Sequence, residues 1–130
     1  WYNDSIATSP TRTIAGLNSF AQKLIVIAGG YDKHIPFAPF AQKAITNVKL
    51  LILTGDTADK IEQCIKAQPD YTLGCPEILR ANGMEEAVKL AHSAAKPGDV
   101  VTLSPACASF DAYPNFAERG RHFKALVKAL

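Results

Sequence analysis

Strong net charge is missing from this sequence. Its 130 residues hold 14 lysines and arginines against 12 acidic residues, a formal net charge of +2. So small an excess builds no basic surface, and the composition therefore does not favour a nucleic-acid or membrane partner. With 48% hydrophobic and 20% charged residues, the composition is typical of a globular protein, and the length predicts one domain with a substantial core.

Cysteines and long apolar runs are also scarce. Cys64, Cys75 and Cys107 show no C-x-x-C spacing, so neither a disulfide framework nor a zinc site is favoured, and we expect free thiols. No apolar run approaches the roughly 20 residues of a membrane-spanning helix, and the first residues lack the layout of a signal peptide. A cytoplasmic location is therefore expected.

Two phosphate-binding motifs are absent. No glycine is followed by lysine, which excludes the core of a P-loop, and Gly29-Gly30 is not followed by the further glycines of a dinucleotide fingerprint. The three histidines are not spaced as a metal site, and we predict none. No nucleophile–base pair or carboxylate dyad is evident either, so we predict that the isolated domain is inactive.

Apolar runs and amphipathic stretches alternate along the chain. Strands are predicted at residues 24–28, 49–53, 71–73 and 99–103. Helices are predicted at residues 11–20 with a cap near Ser9, in a stretch ending near Asn47, in one ending before Pro69, within residues 78–95 and at least over 84–95, and from Asn115. This alternation predicts an α/β, Rossmann-like three-layer domain with a mostly parallel sheet flanked by helices.

The stretch from Leu103 to Asp111 is the most distinctive in the chain. Ser104-Pro105 ends the last predicted strand, and Asn115 with Glu118 three residues later forms a capping-box pattern that begins the last helix. Ligands of open α/β sheets bind at such strand ends, so the small residues between them suit a binding loop. Ordinary packing of small residues between strand and helix fits the local pattern equally well.

A longer string favours the binding loop. LSPACASFDAYPNFAERGRHF, residues 103–123, resembles the C-terminal signature of the Mur ligases that add D-glutamate, and NDSIATSP (3–10) and GGYDK (29–33) resemble two further segments of that family. The resemblance covers essentially the whole chain. It implies that residues 1–130 are the C-terminal, amino-acid-binding domain, and that the N-terminal UDP-binding and central ATPase domains lie outside this chain. The absence of an initiator methionine fits an excised domain.

The resemblance also implies roles for individual residues. The residues implied to bind D-glutamate are Thr8, Lys33, Ser109, Phe110 and Phe116, the last two through their backbone, and Asp4 is implied to contact the nucleotide ribose. Ile6 departs from the family, since many of these ligases carry a lysine there. Without the resemblance, Asp4 and Thr8 suit turn and capping chemistry, and Lys33 suits a solvated surface.

An ATP-dependent amide ligase is the implied activity. ATP and Mg²⁺ would be held mainly by the absent central domain, and D-glutamate would be joined to UDP-N-acetylmuramoyl-L-alanine through an acyl phosphate. Cys107 is expected to be a small buried residue, because this chemistry needs no enzyme thiolate. The alternative is a Rossmann-like regulatory or small-ligand module that performs no chemistry.

Overall fold

The computed structural model describes all 130 residues, which form five strands and five helices. The strands are β1 (Tyr2–Asn3), β2 (Leu24–Ala28), β3 (Val48–Leu53), β4 (Glu77–Arg80) and β5 (Val101–Leu103). The helices are α1 (Pro10–Leu17), α2 (Ala38–Asn47), α3 (Ala58–Lys66), α4 (Met84–Ala94) and α5 (Phe116–Lys128). None of the helices combines the length and the apolar character that crossing a bilayer requires.

All five strands belong to one parallel sheet with the order β1-β5-β2-β3-β4. The chain adds β3 and β4 on one side of β2 and then returns to place β5 on the other side. The direction of winding therefore reverses between β2 and β5, the position at which open α/β sheets form a ligand-binding crevice. The predicted α/β class is confirmed.

Helices cover both faces of the sheet. On one face, Leu17, Phe40 and Ile61 from α1, α2 and α3 pack in a cluster of 16 buried residues. On the other face, Val88 and Phe123 from α4 and α5 belong to a cluster of 11 buried residues. Each buried aliphatic or aromatic side chain contributes about 1.5–3 kcal/mol. The central strands β2 and β3 are apolar, apart from Lys49, because they bury both faces.

Two of the predicted helix starts are found in the structure. Asn115 Oδ1 accepts a hydrogen bond from Glu118 N at 2.9 Å, so the predicted start of α5 is confirmed. The first helix begins at Pro10 with Ser9 as N-cap, as predicted, but it ends three residues earlier than expected. The cause is Phe20, which leaves the helix and packs its ring edge-on against Tyr2 at 5.0 Å.

One strand was predicted in the wrong place. Residues 71–73 form no strand, and Leu73 is 92% exposed in a turn that is closed by a bridge between Thr72 and Cys75. The edge strand is instead Glu77–Arg80, at the start of the predicted helix 78–95, of which only the part from Met84 is helical. Ile78 and Leu79 point to opposite faces of the sheet and join different core clusters, an alternation that a strand allows.

Candidate functional site

The loop that follows β5 is buried along its whole length. We call residues 104–109 the site loop; every one of them is buried. Ser109 is 2% exposed, and its Oγ is the one buried side-chain nitrogen or oxygen of the chain without a hydrogen-bond partner. Buried polar groups are nearly always paired, so an unpaired hydroxyl at the carboxyl edge of a parallel sheet is typical of a ligand-binding position.

The buried side chain of Arg119 holds the site loop in place. This arginine is 3% exposed, and its Nη1 donates to the carbonyl oxygen of Cys107 at 2.9 Å. Its Nε and Nη2 donate to Ser5 Oγ at 3.0 Å and to Ser5 O at 2.8 Å. Burial lowers the pKa of Arg119, but a guanidinium remains charged at neutral pH. One buried cation thus joins α5, the site loop and the N-terminal segment.

Sequence reasoning assigned no role to Arg119 or to Ser5. A signal for Arg119 was available, because it lies at helical spacing between Phe116 and the buried Phe123, on the apolar face of α5. Ser5 is 4% exposed and its Oγ donates to the carbonyl oxygen of Phe116 at 2.7 Å. This bond places the segment that carries Thr8 against the start of α5.

The segment that carries Lys33 lies beside the site loop. Gly29 has φ +108°, and a Cβ there would collide with the carbonyl oxygen of Thr54, so this turn requires glycine. Two backbone bonds join the segments: Gly29 N donates to Pro105 O and Tyr31 N to Ala108 O, both at 2.9 Å.

Aromatic rings cover the junction of these two segments. The rings of Tyr31 and Phe110 meet edge-on at 5.9 Å. Lys33 is exposed and forms no salt bridge with any residue of the chain. Its neighbour Asp32 pairs with Lys60 at 3.2 Å, and a backbone bond from His34 lowers the pKa of Asp32. The one unpaired charge of this segment is therefore a cation.

Asp4 lies at a different part of the same sheet edge. Its Oδ2 accepts a hydrogen bond from Ser104 Oγ at 2.9 Å, and Ser104 also contacts Thr13 Oγ1 at 3.1 Å. The carboxylate borders a cavity of about 340 Å³ that is also lined by the rings of Tyr2 and Phe20. A carboxylate beside apolar rings suits a ligand that has hydroxyl groups and a flat ring.

Cys107 is a buried thiol at the centre of the loop, as predicted. Burial raises its pKa to about 11, and its Sγ lies 3.2 Å from Thr57 Oγ1. A thiol with so high a pKa carries almost no thiolate at neutral pH and is a poor nucleophile. Its part in the site is therefore one of packing and hydrogen bonding.

A second cavity of about 350 Å³ opens at the ends of β2, β3 and β5, on the side covered by α4 and α5. None of the six predicted binding residues lines it. Its lining carries both signs of charge, from Glu85, Asp111 and Arg119, and burial raises the pKa of Asp111. Tyr113 Oη lies 2.6 Å from Nδ1 of His122, which is exposed on α5 as predicted.

Comparison with known proteins assigns the family. Residues 1–107 match the family model described as Mur ligase, glutamate ligase domain. This chain belongs to the Mur ligase family. The Mur ligase domain described here is 55% identical over 130 residues to UDP-N-acetylmuramoylalanine–D-glutamate ligase of Clostridium botulinum strain Hall, and 52% identical over 131 aligned positions to the protein of that name from Clostridium novyi. Both alignments cover 100% of the chain and 28% of the relative, so the chain spans less than a third of those relatives' length.

The structure distributes the six predicted residues of this Mur ligase domain over adjoining segments. Hydrogen bonds connect the segments that carry Thr8, Ser109 and Phe116 through Ser5 and Arg119. The Lys33 segment joins them through backbone bonds, whereas Asp4 borders a separate cavity. No group of three or more His, Cys, Asp or Glu side chains is arranged to hold a metal ion.

Proposed function

We propose that this chain is the D-glutamate-binding C-terminal domain of an ATP-dependent ligase that joins D-glutamate to UDP-N-acetylmuramoyl-L-alanine. The observation that carries the proposal is the unpartnered hydroxyl of Ser109 in the buried site loop. Leaving such a group unsatisfied costs about 1–3 kcal/mol, and a ligand carboxylate that accepts its hydrogen bond would recover this energy. The family and the names of the relatives support the choice of D-glutamate.

The proposed D-glutamate site is a set of donors around an anion. Ser109 and Thr8 supply hydroxyls, and Lys33 supplies an ammonium that no residue of the chain neutralises. Phe116 is the first residue of α5, where a backbone N–H has no acceptor within the helix and the helix dipole favours negative charge. Phe110 adds the backbone N–H that follows Ser109. All five groups prefer a carboxylate to a neutral or cationic partner.

The role of these groups is to position the amino acid. In the proposed reaction, the carboxylate of UDP-N-acetylmuramoyl-L-alanine takes the terminal phosphoryl group of ATP and ADP leaves. The amine of D-glutamate then attacks the acyl carbon, phosphate leaves, and an amide bond forms with loss of the proton from the amine. Holding the amine in line with the acyl carbon can lower the barrier by up to roughly 7–11 kcal/mol in the best intramolecular models.

Asp4 is the proposed contact to the nucleotide. Its half-buried carboxylate and the nearby rings of Tyr2 and Phe20 fit a ribose and a flat base. The exposed side chain of Ile6 adds no cation at this edge. ATP supplies the phosphoryl group when it is bound, and we assign its phosphates and Mg²⁺ mainly to the central domain of the full-length enzyme. A cytoplasmic location fits the three free cysteines.

Amino-acid dependence in the full-length enzyme tests the substrate assignment. With ATP, Mg²⁺ and UDP-N-acetylmuramoyl-L-alanine supplied, phosphate release should require D-glutamate and should fail with L-glutamate, L-lysine or D-aspartate. Release that depends equally on any other of these amino acids would contradict the assignment. Absence of release with every amino acid would favour a non-catalytic small-ligand module.

The isolated domain should fold without turning over ATP. Its two core clusters bury both faces of the sheet, so they supply a core that is independent of other domains. The chain carries no P-loop to hold a triphosphate. We expect a cooperative unfolding transition from residues 1–130 and no phosphate release above background, with or without D-glutamate. Release that depends on D-glutamate would show that the domain holds the whole catalytic site.

A further inference from the structure

Thr57 occupies an unusual position for a helix cap. It is the N-cap residue of α3, yet its side chain makes no hydrogen bond to its own helix, and the residue is completely buried. Threonine at this position normally accepts a hydrogen bond from the first turn of the helix that it caps. Here the hydroxyl is directed instead towards two other segments, so the local role of the residue does not explain its side chain.

Both segments belong to the proposed D-glutamate site. Thr57 Oγ1 accepts a hydrogen bond from Gly30 N at 3.0 Å, and Thr57 N donates to Gly30 O at 3.2 Å. The same hydroxyl lies 3.2 Å from Cys107 Sγ, within hydrogen-bond distance for sulfur. Thr57 therefore holds both polar backbone groups of Gly30 and contacts the centre of the site loop.

The two residues that Thr57 contacts lie close in sequence to the proposed ligand contacts. Gly30 precedes Lys33 by three residues, and Cys107 precedes Ser109 by two. We propose that Thr57 is a positioning residue that fixes the separation between Lys33 and Ser109 and thereby sets the affinity of the enzyme for D-glutamate. This inference rests on the proposed function, since it concerns the same site.

The geometry gives Thr57 a contribution to the site in addition to its contribution to folding. Two backbone bonds, from Gly29 to Pro105 and from Tyr31 to Ala108, already join the two segments without Thr57. Thr57 adds a connection from the end of β3, so that three neighbouring strand ends are held together rather than two. Small displacements of binding groups have large effects on a reaction that depends on alignment. Loss of the hydroxyl should therefore loosen the site more than it loosens the fold.

Thr57→Val and Thr57→Ser in the full-length enzyme form a matched pair. Valine keeps the branched shape but lacks the hydroxyl, whereas serine keeps the hydroxyl. We expect Thr57→Val to raise the KM for D-glutamate about fivefold or more, the effect of one lost hydrogen bond, while the KM for ATP stays within about twofold. Thr57→Ser should leave both values within about twofold of the wild type.

A double-mutant comparison of Thr57 with Lys33 distinguishes a positioning role of Thr57 from a purely structural one. In the Thr57→Val background, Lys33→Ala should raise the KM for D-glutamate by a smaller factor than it does in the wild type, because the lysine is already misplaced. Equal factors in the two backgrounds would overturn the proposal. A Thr57→Val enzyme with a lower thermal midpoint but an unchanged KM for D-glutamate would also overturn it.

Cys107→Ala provides a second route if Thr57→Val does not fold. This change removes the thiol that contacts the Thr57 hydroxyl but keeps both bonds between Thr57 and Gly30. It should raise the KM for D-glutamate about twofold to threefold and leave the KM for ATP unchanged. An unchanged KM for D-glutamate would overturn the proposal by this route. A wild-type enzyme that does not require D-glutamate would overturn both the function and the inference, whereas a wild type that requires it and a Thr57→Val variant that behaves identically would overturn the inference alone.

Discussion

The site loop and the lysine segment, residues 31–35, leave adjacent parallel strands but differ in their surroundings. The site loop is buried at every residue and is held by Arg119, while every residue of the lysine segment is exposed except the half-buried Asp32. The hydroxyl of Ser109 is buried and has no partner in the protein, whereas the ammonium of Lys33 has no partner and is exposed to solvent.

This difference should separate stability from affinity within the proposed D-glutamate site. Substitutions beneath the site loop should damage the fold, since they expose or orphan buried polar groups. Substitutions in the lysine segment should affect binding alone, since an exposed side chain contributes little to the free energy of unfolding. The following variants test that division, beginning with the largest expected effect.

Arg119→Met should cause the largest loss of stability. The change leaves the buried carbonyl oxygens of Ser5 and Cys107 without their donors, and each unsatisfied group costs about 1–3 kcal/mol. We expect the free energy of unfolding of residues 1–130 to fall by about 4 kcal/mol, measured by urea denaturation.

Arg121→Met is the matched control for Arg119→Met. Arg121 lies two positions further along α5, is exposed, and pairs only with Glu118 on the same helix. Loss of an exposed ion pair of this kind should cost less than about 0.5 kcal/mol. Similar losses of stability in the two variants would refute the assignment of Arg119 as the anchor of the site loop.

Lys33→Ala should weaken D-glutamate binding by about 2–3 kcal/mol, or between roughly 30-fold and 150-fold. The expected cause is loss of the cation that pairs with a substrate carboxylate. The thermal midpoint should not change, because Lys33 forms no salt bridge in the chain. Isothermal titration of the full-length enzyme with D-glutamate measures the effect.

Lys23→Ala is the control for Lys33→Ala. Lys23 is also exposed, but it precedes β2 and so lies at the opposite end of the same strand. The Lys23→Ala change should leave the affinity of the enzyme for D-glutamate unchanged. If both variants bind D-glutamate as the wild type does, Lys33 is a solvated surface residue and the proposed site loses its strongest charge.

Ser104→Ala should have a smaller effect than Arg119→Met or Lys33→Ala, and the effect should be on stability. Its hydroxyl contacts Asp4 at 2.9 Å and Thr13 at 3.1 Å, and loss of these bonds should lower the free energy of unfolding by about 1–2 kcal/mol. The KM for D-glutamate should stay within about twofold of the wild type. A larger rise in that KM would show that the whole site loop, and not only its end at Ser109, contributes to binding.

The strands β2, β3 and β5 and the cap of α5 were predictable because local chemistry determines them. Continuous apolar runs indicate strands buried on both faces, and Asn115 caps its own helix over three residues. The strand Glu77–Arg80 was missed because an edge strand with polar ends has only two half-buried residues, too few to show a period. Tertiary contacts define that strand.

The proposed contacts were named through resemblance, but the residues that hold them in place were not. Arg119, Ser5 and Thr57 act through partners that are 27 to 114 positions distant in sequence, apart from the bond of Arg119 to Cys107. No local sequence pattern predicts pairings between residues so far apart in the chain. The position of Arg119 on an apolar helix face was the one available signal, and it indicated burial without naming a partner.

Ser109→Ala in the full-length enzyme tests the central claim most directly, because the hydroxyl of Ser109 has no hydrogen bond within the protein to lose. We predict that the KM for D-glutamate rises about tenfold or more, as expected for loss of a hydrogen bond to a charged ligand, while the KM for ATP stays within about twofold. The free energy of unfolding of residues 1–130 carrying the same change should be unchanged or slightly higher. An unchanged KM for D-glutamate, or a loss of stability as large as that of Ser104→Ala, would contradict the account.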